Sequence, residues 1–143
     1  VVAGTAANSD AGTSPDEDDA GARIMPKPGP LLAFPGAVGF GRKATGGRGG
    51  AVYHVRNLQD AGPGSFRDAV SKPHRIVVFD VGGYVQLETA VSVASDLTIA
   101  GQTAPGAGIG IMAREVSFSG SANVIVRNLR FRQGDRDPDS KKS

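Results

Sequence analysis

The sequence contains no cysteine and no tryptophan, and its 143 residues include only two tyrosines and six phenylalanines. Without cysteine there is no disulfide framework and no thiolate to act as nucleophile or metal ligand. So few rings leave little for the stacking platforms on which nucleic acids are held, and no nucleic-acid-binding motif is present, so no nucleic-acid partner is expected. No apolar run approaches the roughly 20 residues that cross a bilayer, so no membrane span is expected. The dipeptides Asn-Gly and Asp-Gly, the strongest short signals for a β-hairpin, are also missing.

What is present is 21 glycines, nine prolines and a hydrophobic fraction of 39%. That composition fits many tight turns around a core of Val, Ile, Leu and Ala, in a chain of one-domain length. Charge is unevenly spread. Residues 1–22 hold Asp10, Asp16, Glu17, Asp18 and Asp19 and no Lys or Arg, which leaves nine acids against all 16 basic residues in the remainder. A basic body suits an anionic partner such as an acidic polysaccharide, the bland alternative being a solvated basic surface.

Residues 1–30 read as a disordered acidic tail followed by the proline-rich linker "RIMPKPGP", because neither stretch has an apolar period with which to build a core. Residues 31–143 read as the folded part. Its one helix signal is "GPGSFRDAV": Ser65 can cap, Asp68 forms a capping-box-like pair with it, and Phe66, Ala69 and Val70 share a face before Pro73 ends the helix. So short a helix needs an apolar surface to lie on. The segments "RIVVFDV", "YVQL", "AVSV", "DLTIAG", "GIGIM", "EVSFSG" and "NVIVRNLRFR" are short, β-branched strand signals, with Asn128 expected to turn the chain inside the last.

These strands recur. Val91-Ser92-Val93 and Val116-Ser117-Phe118 lie 25 positions apart, while Asp96-Leu97-Thr98-Ile99 and Asn123-Val124-Ile125-Val126 lie 27 apart. Repeats of that length made of short strands predict an all-β solenoid in which like residues stack turn upon turn. The helix at 65–70 is expected to close its N-terminal end.

The motifs "FPGAVGFGRKATGGRGGAVYHVRNLQDAGPGSFRDAV", "RIVVFDVGGYVQL", "LTIAGQTAPGAGI" and "NVIVRNLRFRQGD" together resemble the N-terminal part of pectate-lyase-like polysaccharide lyases, over roughly residues 32–135. The resemblance implies a right-handed parallel β-helix, usually secreted and extracellular, that cleaves acidic polysaccharide by β-elimination, often with Ca²⁺. Family enzymes are much longer, with the proton-abstracting arginine in later coils. The expectation is therefore that this chain covers the first coils only, that no catalytic residue is assigned within it, and that the base lies in a C-terminal companion segment of the same gene product. By itself the chain is expected to be inactive. The alternative is a non-catalytic β-helix that binds glycans, such as a cell-surface adhesion module.

Within "RNLRFR", alternation turns Leu129 and Phe131 inward and Arg130 and Arg132 outward. Paired guanidinium groups can bind uronate carboxylates, which makes Arg130 and Arg132 the candidate substrate-binding residues; a surface ladder of salt bridges is the bland alternative. In "DRDPD", Asp135, Asp137 and Asp139 offer oxygen ligands to a hard cation such as Ca²⁺, although the family's acidic pair would align near Ser140–Ser143, where Lys141 or Lys142 could supply a fixed positive charge instead. The glycines of "GFGRKATGGRGG" do not fit a nucleotide loop, since a strand follows where a helix must begin. His54 and His74 are isolated and read as structural.

Overall fold

The computed structural model describes residues 31–134. The acidic tail and linker at 1–30, and the aspartates and lysines after Gly134, lie outside the described residues.

The chain winds as a parallel β-solenoid of about three turns with little helix. Its strands are β1 (Ala51–Val55), β2 (Arg75–Phe79), β3 (Gly83–Gln86), β4 (Val91–Ser92), β5 (Leu97–Ala100), β6 (Ile109–Met112), β7 (Val116–Ser117), β8 (Val124–Arg127) and β9 (Leu129–Arg132). They form three sheets, β1-β2-β5-β8, β3-β6-β9 and β4-β7, in which every pairing is parallel. Both sequence repeats become registers: Val91 pairs with Val116, and Leu97 with Val124. The last apolar segment is two strands rather than one. Asn128, at φ 53°, breaks it between β8 and β9.

Stacking inward residues builds the core. Val77 and Ile99 are paired neighbours in one sheet and Val85 and Ile111 in another, and all four are buried. At the corner before β2, β5 and β8 stand His74, Asp96 and Asn123, all with φ between 57° and 60°. Asn and Asp tolerate this left-handed conformation better than most residues. Here their side chains also link the turns, the Asn123 amide donating to Asp96 Oδ1 at 2.8 Å.

The helix α1 (Phe66–Val70) takes the place in the first turn that β4 and β7 take in the next two. The Val70 carbonyl accepts the Ala94 amide at 2.9 Å, and Arg67 donates to the carbonyls of Thr89 and Ala90. Phe66, Ala69 and Val70 are buried, with Phe66 stacked on Phe79 at 6.4 Å between ring centroids. Burying a phenylalanine this way contributes roughly 1.5–3 kcal/mol. Ser65 caps as expected, its Oγ accepting the Asp68 amide at 3.2 Å. The reciprocal half of a capping box is not made, because the Asp68 carboxylate accepts instead from the Tyr53 hydroxyl.

The outer face of β1-β2-β5-β8 is crossed by residues 33–50. Asn123 Oδ1 accepts the amides of Thr45 and Gly46, Thr98 Oγ1 accepts that of Gly47, and Arg127 lies over the Phe34 ring at 4.5 Å. This strap needs glycine: a Cβ on Gly47 would sit 1.8 Å from the Arg75 carbonyl oxygen, and one on Gly50 2.0 Å from that of His74. Among the described residues no helix is long and apolar enough to cross a membrane.

Candidate functional site

Among the described residues, the outer face of β3-β6-β9 carries no strap contact of that kind. Register sets Tyr84, Gly110 and Arg130 side by side in one row across it, and Gln86, Met112 and Arg132 in the next. The inward residues alternate with them: Val85, Ile111 and Phe131 form one ladder, Ile109 and Leu129 part of another. The alternation expected of "LRFR" therefore holds, although Phe131 stays 42% exposed, set edge-on to Phe118 at 6.0 Å.

Gly110 is the gap in the outward row. A Cβ there would lie 2.4 Å from Tyr84 Cε1, so the phenol ring lies across the position that a side chain would fill. The ring meets both arginines, with the guanidinium carbon of Arg130 5.7 Å from its centroid and that of Arg132 6.0 Å. Arg130 is also pinned from the other side, donating to the Ala107 carbonyl at 2.8 Å above the Gly106–Gly108 bend. Two shallow depressions flank it, one bordered by Gln102, Ala104 and Asn128, the other by Gly83, Tyr84 and Pro105.

The alternative, a surface ladder of salt bridges, is not what surrounds these arginines among the described residues. Among the described residues neither has a carboxylate partner, the ion pairs lying instead at His54–Asp80, Arg56–Asp80, Arg67–Asp60 and His74–Asp96. The local charge is felt by Tyr84. The Arg130 guanidinium at its hydroxyl pulls the phenol below its ordinary pKa, desolvation opposes this, and Arg132 adds to it. Two guanidinium groups and a phenol on an exposed face, with no described acid among them, have the donors and the charge that an anion requires.

Tyr84 was not among the residues singled out by sequence. The available signal was Gly110, since a glycine inside a strand marks close approach of another group.

The other polar clusters serve the fold. Arg67 donates to Asp60 at 2.8 Å, and Asp60 also accepts the Glu88 amide, so the first turn is tied to the second. Burial alone would raise the Asp60 carboxyl, but the Arg67 and Glu88 hydrogen bonds outweigh it and hold the pKa below the ordinary value. Tyr53 is raised, chiefly by desolvation and by its hydrogen bond to Asp68. His54 contacts Asp80 through Nδ1 at 2.9 Å, which lowers the Asp80 pKa, and no third group completes a ligand set there. Among the described residues no cluster of three or more His, Asp or Glu could hold a metal. Asp135, Asp137 and Asp139 lie outside them.

Comparison with known proteins agrees with the motifs. No protein-family profile matches the chain. Over 104 residues, 73% of this chain, it is 57% identical to a protein of Emericella nidulans named Probable pectate lyase C, and 55% identical to one of the same name in Aspergillus oryzae. A more distant match, 30% identical over 105 residues and 67% of the chain, is Probable pectate lyase 6 of Arabidopsis thaliana. These alignments span about a quarter of the length of the fungal relatives and 22% of the plant one. The chain thus resembles the N-terminal portion of pectate-lyase-like polysaccharide lyases, on a parallel β-solenoid.

Proposed function

We propose that this chain is the N-terminal part of a secreted polysaccharide lyase that cleaves a pectate-like, uronate-containing polymer by β-elimination. The observation that carries the reading is the 57% identity over 104 residues to a protein named as a pectate lyase. Residues 1–30 serve as a tail and linker, and residues 31–143 supply the first turns and part of a substrate surface. On that surface Arg130 and Arg132 take uronate carboxylates, for which their outward positions, and their having no carboxylate partner among the described residues, suit them. The general base belongs to a companion segment of the same gene product.

In β-elimination a base removes the proton alpha to the uronate carboxyl, the electron pair forms a C–C double bond, and the glycosidic oxygen leaves with the departing sugar. A positive charge beside the carboxyl stabilises the enolate-like charge that builds up on the way. Asp135, Asp137 and Asp139 are the residues that would hold Ca²⁺, which when bound would supply that charge.

The test is to incubate the full-length gene product with pectate and follow the absorbance of the unsaturated product. Turnover by the whole protein and none by the 143-residue chain is the expected result. Binding without turnover by the whole protein would favour the non-catalytic glycan-binding module. Chelation of calcium in the same assay is expected to abolish turnover, and calorimetry is expected to show that Asp139→Ala loses Ca²⁺ binding.

A further inference from the structure

Resting on the lyase reading above, we infer that Tyr84, Arg130 and Arg132 together form a subsite for a single uronate unit, in which Tyr84 supplies the platform for the sugar ring and the two arginines select its charge. The argument begins with the gap at Gly110. Any larger residue there would fill the centre of the row, whereas glycine lets the phenol lie across its place with the Arg130 guanidinium over the ring. The result is an apolar ring face, 37% exposed for the residue as a whole, bounded by two guanidinium groups.

A uronate unit presents the matching pair of surfaces. Its ring offers a face of C–H groups to an aromatic side chain, and its carboxylate offers two oxygens to a guanidinium fork. Strands β3, β6 and β9 and residues 105–108 contain no Asp, Glu, Lys or His, so the only formal charges on these elements are the two arginines. On these described elements a carboxylate entering the site meets no competing acid. A neutral sugar could use the ring but would leave the guanidinium groups without a counter-charge, which is how a polar site rejects an analogue lacking the group it is built for.

The same geometry supplies a readout independent of turnover. The phenol of Tyr84 is held low by Arg130 and Arg132, whereas that of Tyr53 is held high by burial and Asp68. With only two tyrosines in the chain, an alkaline titration of tyrosinate absorbance separates them, Tyr84 ionising first. A carboxylate bound at the arginines offsets their pull on the phenolate and brings its own negative charge, and both effects raise the Tyr84 pKa.

The experiment titrates the 143-residue chain alone, with a saturating short oligogalacturonate, and with a neutral malto-oligosaccharide, while calorimetry measures affinity. The expected result is that oligogalacturonate moves the lower step upward and the neutral sugar does not. Tyr84→Phe removes that step while keeping the ring, Tyr84→Ala removes both and weakens binding about tenfold, and Arg132→Gln weakens binding by about the same factor while keeping the step. Absence of oligogalacturonate binding, binding with the lower step unmoved, or full affinity in Tyr84→Ala would each overturn the subsite. Cleavage by the full-length protein with an unmoved step removes the subsite and leaves the lyase reading. A shifted step without cleavage does the reverse.

Discussion

Two outer faces of the same solenoid use glycine for opposite ends. On β1-β2-β5-β8, glycines 46, 47 and 50 bring a strap onto the sheet, leaving Ile125 buried although it points outward. On β3-β6-β9, Gly110 keeps the sheet surface low and open, and the space is taken by the ring of Tyr84 between two arginines. At Gly47 and Gly50 in the first case the neighbour that excludes a side chain is backbone, which cannot move without shifting a turn of the solenoid. In the second it is largely the end of one exposed side chain, which can. A missing Cβ is structural where its neighbour is rigid, and available for recognition where its neighbour is free.

Substitutions sharpen that contrast. The largest effect is expected from Gly47→Ala, whose Cβ would stand 1.8 Å from the Arg75 carbonyl oxygen. It should cost about 3 kcal/mol or more, read as a lower denaturation midpoint with an unchanged urea slope. Next is Asn123→Ala, which removes acceptors for two strap amides and the donor to Asp96, for an expected loss of about 1–3 kcal/mol. Gly110→Ala should cost less than about 1 kcal/mol, since Tyr84 can swing away, yet should weaken oligogalacturonate binding about tenfold. If Gly110→Ala destabilised the chain as much as Gly47→Ala, the two faces would not differ in the way described.

The smallest effect concerns pH. Asp60 has a folded pKa held below its ordinary value of 3.8. Its contribution is fully present above the unfolded pKa and is lost as pH falls through the lower folded one. Stability should therefore decline in the window below about pH 4, and Asp60→Asn should flatten that part of the curve in acid-unfolding experiments.

Much of this fold could be read from the chain because a solenoid repeats. Val91 and Val116, or Leu97 and Val124, announce their pairing by like sequence at like spacing, and Ser65 with Phe66 marks the only α-helix among the described residues. Alternation alone put Arg130 and Arg132 outward. The strap was not legible, because its hydrogen bonds join residues 51 to 78 positions apart and glycine approach to backbone leaves no periodic trace. Tyr84 was missed for a related reason. It stands 26 residues before Gly110, which stands 20 before Arg130, so no constant spacing joins the row. Only the register of three short strands brings them together.

The claim that the outer face of β3-β6-β9 is the binding surface is tested most directly by amide chemical shifts of the labelled chain during titration with oligogalacturonate. The account predicts saturable shifts concentrated at Tyr84, Ala107, Gly108, Gly110, Arg130 and Arg132, with the strap amides of Thr45, Gly46 and Gly47 still. Shifts gathered on the strap or on β4-β7, with Gly110 unmoved, would contradict it.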